Sequence, residues 1–128
     1  MVSDAKKIKA FTLIELLVVM SVIALLLAIA MPRYFKGLDR SKDAALKQDL
    51  SIMRDALDKY YGDHATYPTK LEDLVEKRYL RGIPKDPITE SEATWLTIAP
   101  KDSRKGKIFD IKSGAIGNSI DGVPYSQF

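Results

Sequence analysis

Apolar residues dominate one long stretch near the start of the chain. From Phe11 to Met31 they form an almost unbroken run of 21 residues that contains a single charged residue, Glu15. At the rise of an α-helix such a run spans about 30 Å, which is the thickness of the hydrocarbon core of a bilayer. The sequence therefore predicts a transmembrane helix over residues 11–31.

Beyond Pro32 the pattern becomes that of an amphipathic helix. Five large apolar residues recur at intervals of 4, 3, 4 and 3: Leu46, Leu50, Met53, Leu57 and Tyr60. This spacing places them in one stripe and predicts a helix over residues 32–62 that continues the first one and ends at Gly62. Because proline lacks an N–H, Pro32 predicts a kink at the join; the alternative is that one helix ends there.

Residues 63–128 predict short elements separated by turns. The segment TKLEDLVEKRYL predicts a short helix with Thr69 as its cap and Glu72 in a capping box. The segments ATWLTIA and KIFDIK alternate β-branched and aromatic residues with others, which predicts an antiparallel pair of strands. The expected fold class is α+β: a long N-terminal helix whose second half packs against a small domain with a short helix and a small antiparallel sheet. The Gly- and Asn-rich tail is predicted to be a loop.

Two simpler interpretations compete for the apolar run. Ala28-Ile29-Ala30 fits the cleavage pattern of a secretory signal peptide, but the run is longer than the apolar region of such peptides. A plain membrane anchor explains the length and leaves Glu15 unexplained, because an acid in lipid is costly and normally has a partner. Since no basic residue lies within the run, that partner must come from the backbone, a terminus or another chain.

Charge and composition exclude several functions. The net charge is +3, and Lys6, Lys7 and Lys9 with Asp4 account for +2 of it before the apolar run begins. These lysines predict that the N-terminal end stays cytoplasmic, and the near-neutral remainder offers no basic stripe for nucleic acid. The chain has no cysteine and one histidine, His64, which we interpret as a surface-loop residue. No catalytic motif is present, so we expect a protein that is not an enzyme.

The stretch KIKAFTLIELLVVMSVIALLLAIAMPRY resembles the leader and N-terminal helix of type IV pilins and of the related pseudopilins of type II secretion systems. Farther along, the islands YPT, YLRGIPKDP and SGA are similar to the globular part of the major, G-type, pseudopilin. The resemblance extends over nearly the whole chain. It implies four parts: a leader at 1–10, a transmembrane and fibre-core helix at 11–31, an amphipathic helix at 32–62 and a globular α+β part at 63–128.

The resemblance also implies the roles of individual residues. In this family a prepilin peptidase cuts before the phenylalanine and methylates the new amine, so Ala10 and Phe11 are the expected processing residues. The family usually has glycine before the cut, where this chain has Ala10. Phe11, Glu15 and Pro32 are the expected assembly residues, with Glu15 pairing with the amine of a neighbouring subunit.

The function implied is that of a structural subunit of the periplasmic pseudopilus, which supports export of folded proteins across the outer membrane. Expected partners are further copies of the chain, minor pseudopilins, the prepilin peptidase, the inner-membrane assembly platform with its ATPase, and lipid before assembly. Before assembly the chain would cross the inner membrane once, with its globular part in the periplasm. Two alternatives remain: a type IV pilus subunit used for adhesion, motility or DNA uptake, and a membrane-anchored binding or enzymatic domain that never polymerises.

Calcium is the one candidate ligand, and no cofactor is expected to be required. G-type pseudopilins bind calcium in their C-terminal loop, and four residues of this chain offer hard oxygen ligands there: Asp110, Ser113, Asn118 and Asp121. Asp121 is the best candidate, whereas Ile116 stands where many family members have an acid. The spacing does not match an EF-hand, and the alternative is a set of ordinary Asx and glycine turns.

Overall fold

The computed structural model describes residues 10–128, so the predicted leader lies outside the described residues except for Ala10. Within residues 10–128 there are two helices and two strands: α1 at Leu13–His64, α2 at Leu71–Glu76, β1 at Trp95–Ile98 and β2 at Asp110–Ser113. Single 3-10 turns lie at Ser103–Lys105 and Tyr125–Gln127. These elements confirm the α+β class with a long N-terminal helix, a short helix and a small antiparallel sheet.

The chain divides into two compact units, Met1–Phe35 and Lys36–Phe128. In the first unit the large apolar side chains from Phe11 to Met31 are all exposed. Within residues 10–128, α1 is the one helix whose length and composition suit it to cross a membrane. Within the described residues, the apolar run is therefore an exposed helical surface.

Helix α1 continues through Pro32 and ends later than its sequence predicts. The assignment of Pro32 to the interior of the helix contradicts the alternative of a helix boundary at that residue. The helix also passes Gly62 and ends at His64. Ala65, with φ of 57°, adopts the left-handed conformation that terminates helices, and its N–H donates to the carbonyl of Tyr61 at 2.8 Å. The local backbone conformation at Ala65, rather than the glycine, ends the helix.

The core of the second unit is built on the predicted stripe of α1. Leu46, Leu50, Met53 and Leu57 are at most 1% exposed. Against them pack four residues from later in the chain: Leu74, Trp95, Ile108 and Ile111. Each fully buried side chain of this size stabilises the fold by about 1.5–3 kcal/mol. The spacing of apolar residues thus identified the buried face of the helix correctly.

Helix α2 begins with a different cap from the one predicted. Its N-cap residue is Lys70, and the acid that closes the first turn is Asp73. The carboxylate of Asp73 accepts hydrogen bonds from the Lys70 N–H at 3.2 Å and from the Thr69 hydroxyl at 3.1 Å. The prediction of Thr69 and Glu72 as the capping pair is wrong because the helix starts one residue later than that pattern assumes.

The two strands pair antiparallel, with Trp95 opposite Ser113 and Ile98 opposite Asp110. Trp95 and Ile111 face the core, which is what alternation along the strands predicts. The Trp95 indole N–H donates to the carbonyl of Pro84 at 2.8 Å, so its polar atom has a partner. The sheet therefore forms a wall of the core opposite the stripe of α1.

Candidate assembly site

The N-terminal end of α1 is closed by a reciprocal pair of hydrogen bonds between Thr12 and Glu15. The Glu15 N–H donates to the Thr12 hydroxyl at 3.1 Å, and the Thr12 N–H donates to the Glu15 carboxylate at 3.4 Å. Because α1 begins at Leu13, these residues occupy the N-cap and N3 positions of a capping box. A carboxylate in the first turn also interacts favourably with the helix dipole. Within its own chain, Glu15 thus has a backbone partner.

Thr12 is a site residue that the sequence analysis missed. Thr12-Leu13-Ile14-Glu15 has the form Ser/Thr-x-x-Glu, which is the sequence signal of a capping box. The apolar run placed the helix start at Phe11, which hid this spacing. The signal shows that Glu15 is compatible with a helix start as well as with contact to another chain.

The predicted site residues fall into one cluster and one distant position. Ala10, Phe11 and Glu15 lie within six consecutive residues around the start of α1, and Phe11 is 81% exposed. Pro32 follows Glu15 by 17 residues, or about 25 Å along an ideal helix, so it does not belong to the same cluster. The structure therefore places Phe11 and Glu15 where another molecule can reach both, while their assigned roles stay predictions.

The helical surface between these positions is chemically uniform. The Ser21 hydroxyl donates to the carbonyl of Leu17 at 2.7 Å, so this polar group is satisfied within the helix. The remaining side chains from Leu16 to Met31 are aliphatic or methionine. Such a surface is stable in lipid or against other apolar helices, and it is unfavourable in water.

In the second unit, Asp43 anchors the C-terminal loop to α1. Its carboxylate accepts hydrogen bonds from the Ile120 N–H at 2.8 Å and from the Tyr125 hydroxyl at 2.6 Å. Burial, together with the hydrogen bond to Asp43, raises the pKa of Tyr125 to about 12. Asp43 is buried although it lies on a helix rich in exposed charges. Asp43 is buried because the C-terminal loop covers it.

Asp86, in the IPKDP island, is fully buried and holds the turn before β1. Its carboxylate accepts from the N–H groups of Ile88 and Thr89 at 2.8 and 3.3 Å, and from the hydroxyl of Ser113 on β2. The first two bonds form an Asx-type turn around Pro87. Asp86 therefore joins the turn to the sheet, which is a structural role for this island.

Two of the four predicted calcium ligands are bonded to other protein groups. Asp110 accepts from the Arg54 side chain at 2.9 Å, and Ser113 donates to Asp86, so both have protein partners elsewhere. Among residues 10–128 no three His, Cys, Asp or Glu side chains are grouped as a metal site would require. This geometry does not favour a site built from all four residues. Calcium binding at Asp121 stays a prediction.

His64 lies in the last turn of α1, not in the following loop as the sequence analysis expected. Its ring packs 4.3 Å from that of Tyr60, and its Nε2 atom is 3.4 Å from the Tyr79 hydroxyl. That hydroxyl donates to Asp63, and this bond raises the pKa of Tyr79 to about 12. The cluster ties the end of α1 to the segment after α2.

Comparison with known proteins finds relatives that share sequence with this chain. Residues 5–31 match the family model described as the prokaryotic N-terminal methylation motif. The type II secretion system core protein G of Pseudomonas aeruginosa is 33% identical over 93 residues, which cover 60% of this chain and 66% of that protein. The protein of the same name from Vibrio cholerae is 29% identical over 97 residues, covering 64% of this chain and 66% of its own length.

A further relative has a different name. Competence protein ComGC of Halalkalibacterium halodurans is 29% identical over 70 residues, which cover 55% of this chain and 69% of that protein. The matches to the two secretion proteins span just under two thirds of their lengths. No solved structure matches the chain at the significance that these relatives reach.

Proposed function

We propose that this chain, a type IV pilin-like protein similar to core protein G of type II secretion systems, polymerises into a periplasmic pseudopilus. Such a fibre would support export of folded proteins across the outer membrane. The proposed role is structural and not enzymatic. The observation that carries it is the exposed apolar run of residues 11–31, which begins with Phe11 and contains the capped Glu15.

The same helical surface suits both states of a subunit. Before assembly, lipid covers residues 11–31, and in the fibre the corresponding helices of other copies would cover them. Because lipid tails and a packed core of aliphatic side chains are about equally apolar, exchange between the two environments has little hydrophobic cost. A heterologous contact repeated without closure then produces a filament rather than a ring.

Glu15 would provide the specific contact in this exchange. Cleavage between Ala10 and Phe11 would create an amine, and a neighbouring subunit could bring that amine to the Glu15 carboxylate. The Thr12 cap holds the carboxylate at the exposed start of the helix, where it can accept from a second donor. Pairing with a positive charge would offset the cost of an acid in apolar surroundings.

The proposal places the chain in the inner membrane before assembly, with its N-terminal end cytoplasmic and its second unit periplasmic. The partners proposed are the prepilin peptidase, minor pseudopilins, the assembly platform and its ATPase. The competence relative supports a second candidate, a subunit of a type IV pilus-like fibre used in DNA uptake. Loss of protein export after deletion of the gene, with DNA uptake unchanged, would favour the secretion role.

Two substitutions of Glu15 test the assembly role. Glu15→Ala removes both the charge and the cap, whereas Glu15→Gln keeps an oxygen that can accept from the Thr12 N–H and removes only the charge. We expect both variants to enter the membrane and to form few fibres, counted by electron microscopy after the outer membrane is opened. Ser21→Ala is the matched control, because the Ser21 hydroxyl donates to the Leu17 carbonyl of its own helix. Normal fibres from Glu15→Gln would contradict pairing with an amine.

A further inference from the structure

The second unit carries an aromatic groove near the end of α1. Its volume is about 560 Å³, and six of its lining residues are Tyr61, Tyr67, Ile98, Pro100, Lys101 and Phe109. The rings of Tyr61 and Tyr67 stack at 4.4 Å, and the ring of Phe109 meets Tyr67 edge-on at 5.5 Å. Concave apolar surfaces with a few polar groups are typical binding sites.

The wall of the groove is held by backbone contacts. The Tyr67 N–H donates to the carbonyl of Lys105 at 2.6 Å. Gly106 has φ of 110°, and a Cβ atom at this position would collide with the backbone of Tyr67. Glycine therefore permits the close approach of the two segments, so the groove is formed before anything binds.

The rim of the groove has a net positive charge, because Lys101 and Lys105 outnumber Asp58, which lies close to Tyr67 and forms no ion pair within the described residues. Asp102 accepts from the Arg104 side chain at 3.2 Å, so its charge is compensated locally. Neither Lys101 nor Lys105 forms an ion pair within residues 10–128. A ligand with an apolar part and a negative charge beside it would complement this surface.

The C-terminal loop, residues 114–123, has that complementary chemistry. Ile116 is 97% exposed, and Ile120 and Val123 are partly exposed in the same loop. Asp121 lies beside them and makes no ion pair within the described part of the chain. Hydrogen bonds from Ser119 N–H to the Val123 carbonyl at 2.8 Å and from Ile120 N–H to Asp43 hold the loop in place.

The two surfaces lie at different levels along α1. The loop is attached at Asp43, and the groove includes Tyr61, which is 18 residues later. At the rise of an α-helix this corresponds to about 27 Å. The loop of one copy can therefore meet the groove of another copy displaced by about this distance along the helix. Each copy then retains one free surface at each end, as a filament requires.

From this complementarity we propose that the Ile116 loop of one subunit docks into the aromatic groove of a second copy of the chain. The apolar residues of the loop would lie against the stacked tyrosines, with Asp121 near Lys101 and Lys105. This inference rests on the proposed function, since it names the contact between second units in the fibre. It adds a specific contact to the one that the apolar helices make.

Cysteine cross-linking in assembled fibres tests the contact. The chain has no cysteine of its own, so Ile116→Cys with Lys101→Cys introduces the only pair. Both positions are exposed, and the substitutions leave the core unchanged. We expect oxidation or a short bismaleimide to give a ladder of dimers, trimers and larger products from full-length protein in cells with a type II secretion system. Ladders require a contact between unlike surfaces that repeats from copy to copy.

Three controls define the result. Each single-cysteine variant is expected to give no product beyond a dimer, and the pair Ile116→Cys with Lys77→Cys, which places the second thiol outside the groove, is expected to give no ladder. Adding Glu15→Ala to the reactive pair is expected to remove the ladder with the fibres. Fibres without a ladder would overturn the docking contact and leave the proposed function standing. Absence of fibres as well as of the ladder would overturn the docking contact and the proposed function together. A cross-link from position 101 to a different protein would show another occupant of the groove and overturn the contact.

A charge exchange adds an independent test. Asp121→Lys is expected to lower fibre yield about two- to fivefold, the effect of losing one exposed ion pair. Combination with Lys101→Asp is expected to restore the yield. Restoration separates docking from any effect of Asp121 on calcium, because Lys101→Asp would not rebuild a calcium ligand at position 121. If the double variant gave no higher fibre yield than Asp121→Lys alone, that result would count against Lys101 as the partner of Asp121.

Discussion

The hydroxyl of Tyr125 donates a 2.6 Å hydrogen bond to the carboxylate of Asp43, which lies on α1, 82 residues earlier in the chain. The same carboxylate accepts from the Ile120 N–H at 2.8 Å. One acid on the helix therefore fixes Ile120 in the C-terminal loop and Tyr125 just after it. Because that loop has no strand of its own between residues 114 and 123, its position depends strongly on Asp43.

Removal of the Tyr125 hydroxyl should loosen this attachment. Tyr125→Phe keeps the ring and its edge-on contact with Phe128, and removes only the donor to Asp43. We expect the free energy of unfolding to fall by about 1.5–3 kcal/mol, as for other hydrogen bonds to charged groups. Urea unfolding of the detergent-solubilised full chain measures this through Trp95, the only tryptophan, which is 7% exposed. Tyr34→Phe, at an exposed ring, should leave the stability unchanged.

The same bond predicts a dependence on alkaline pH. Burial and Asp43 raise the pKa of Tyr125 to about 12, above its ordinary value of 10. The stabilisation from the protonated hydroxyl is therefore complete below pH 10 and is lost as the pH rises through 12. The difference in unfolding free energy between the native chain and Tyr125→Phe should shrink over this interval. A difference that stays constant up to pH 12 would contradict the assignment.

Asp86 should be the acid to which stability is most sensitive. Asp86→Ala leaves the buried hydroxyl of Ser113 and the half-buried N–H groups of Ile88 and Thr89 without their acceptor. Each such group costs about 1–3 kcal/mol, and we expect a total loss of about 3–5 kcal/mol. Asp58→Ala, at an exposed position on α1, is the control and should change stability by no more than about 0.5 kcal/mol. The same urea titration followed at Trp95 compares the two, and similar midpoints would exclude the role given to Asp86.

The sequence predicted those features that depend on local periodicity. The stripe of Leu46, Leu50 and Met53 and the pairing of the two strands both follow from the spacing of apolar residues. The roles of Asp43 and Asp86 depend on contacts with residues 27 to 82 positions away, which no local pattern encodes. The groove likewise depends on the close approach of Tyr67 and Gly106.

The ends of α1 were predicted incorrectly for a different reason. Gly62 suggested the end of α1, but glycine at the end of a helix is only a preference, and Ala65 adopts the terminating conformation instead. The Thr12–Glu15 cap could be read from the sequence, because its four-residue spacing is complete within the chain. It was missed because the apolar run placed the helix start at Phe11.

Processing between Ala10 and Phe11 can be measured directly on the intact protein. Mass spectrometry of the chain from cells with a prepilin peptidase should show a start at Phe11 with one added methyl group. Ala10→Gly should be processed at least as completely as the native chain, since it restores the smallest residue before the cut. Ala10→Leu should be processed less, because a bulky side chain replaces a small one at the cleaved bond. An intact Met1 or a start after Ala30 in the native chain would contradict both the cut at Phe11 and the pairing of Glu15 with a new amine.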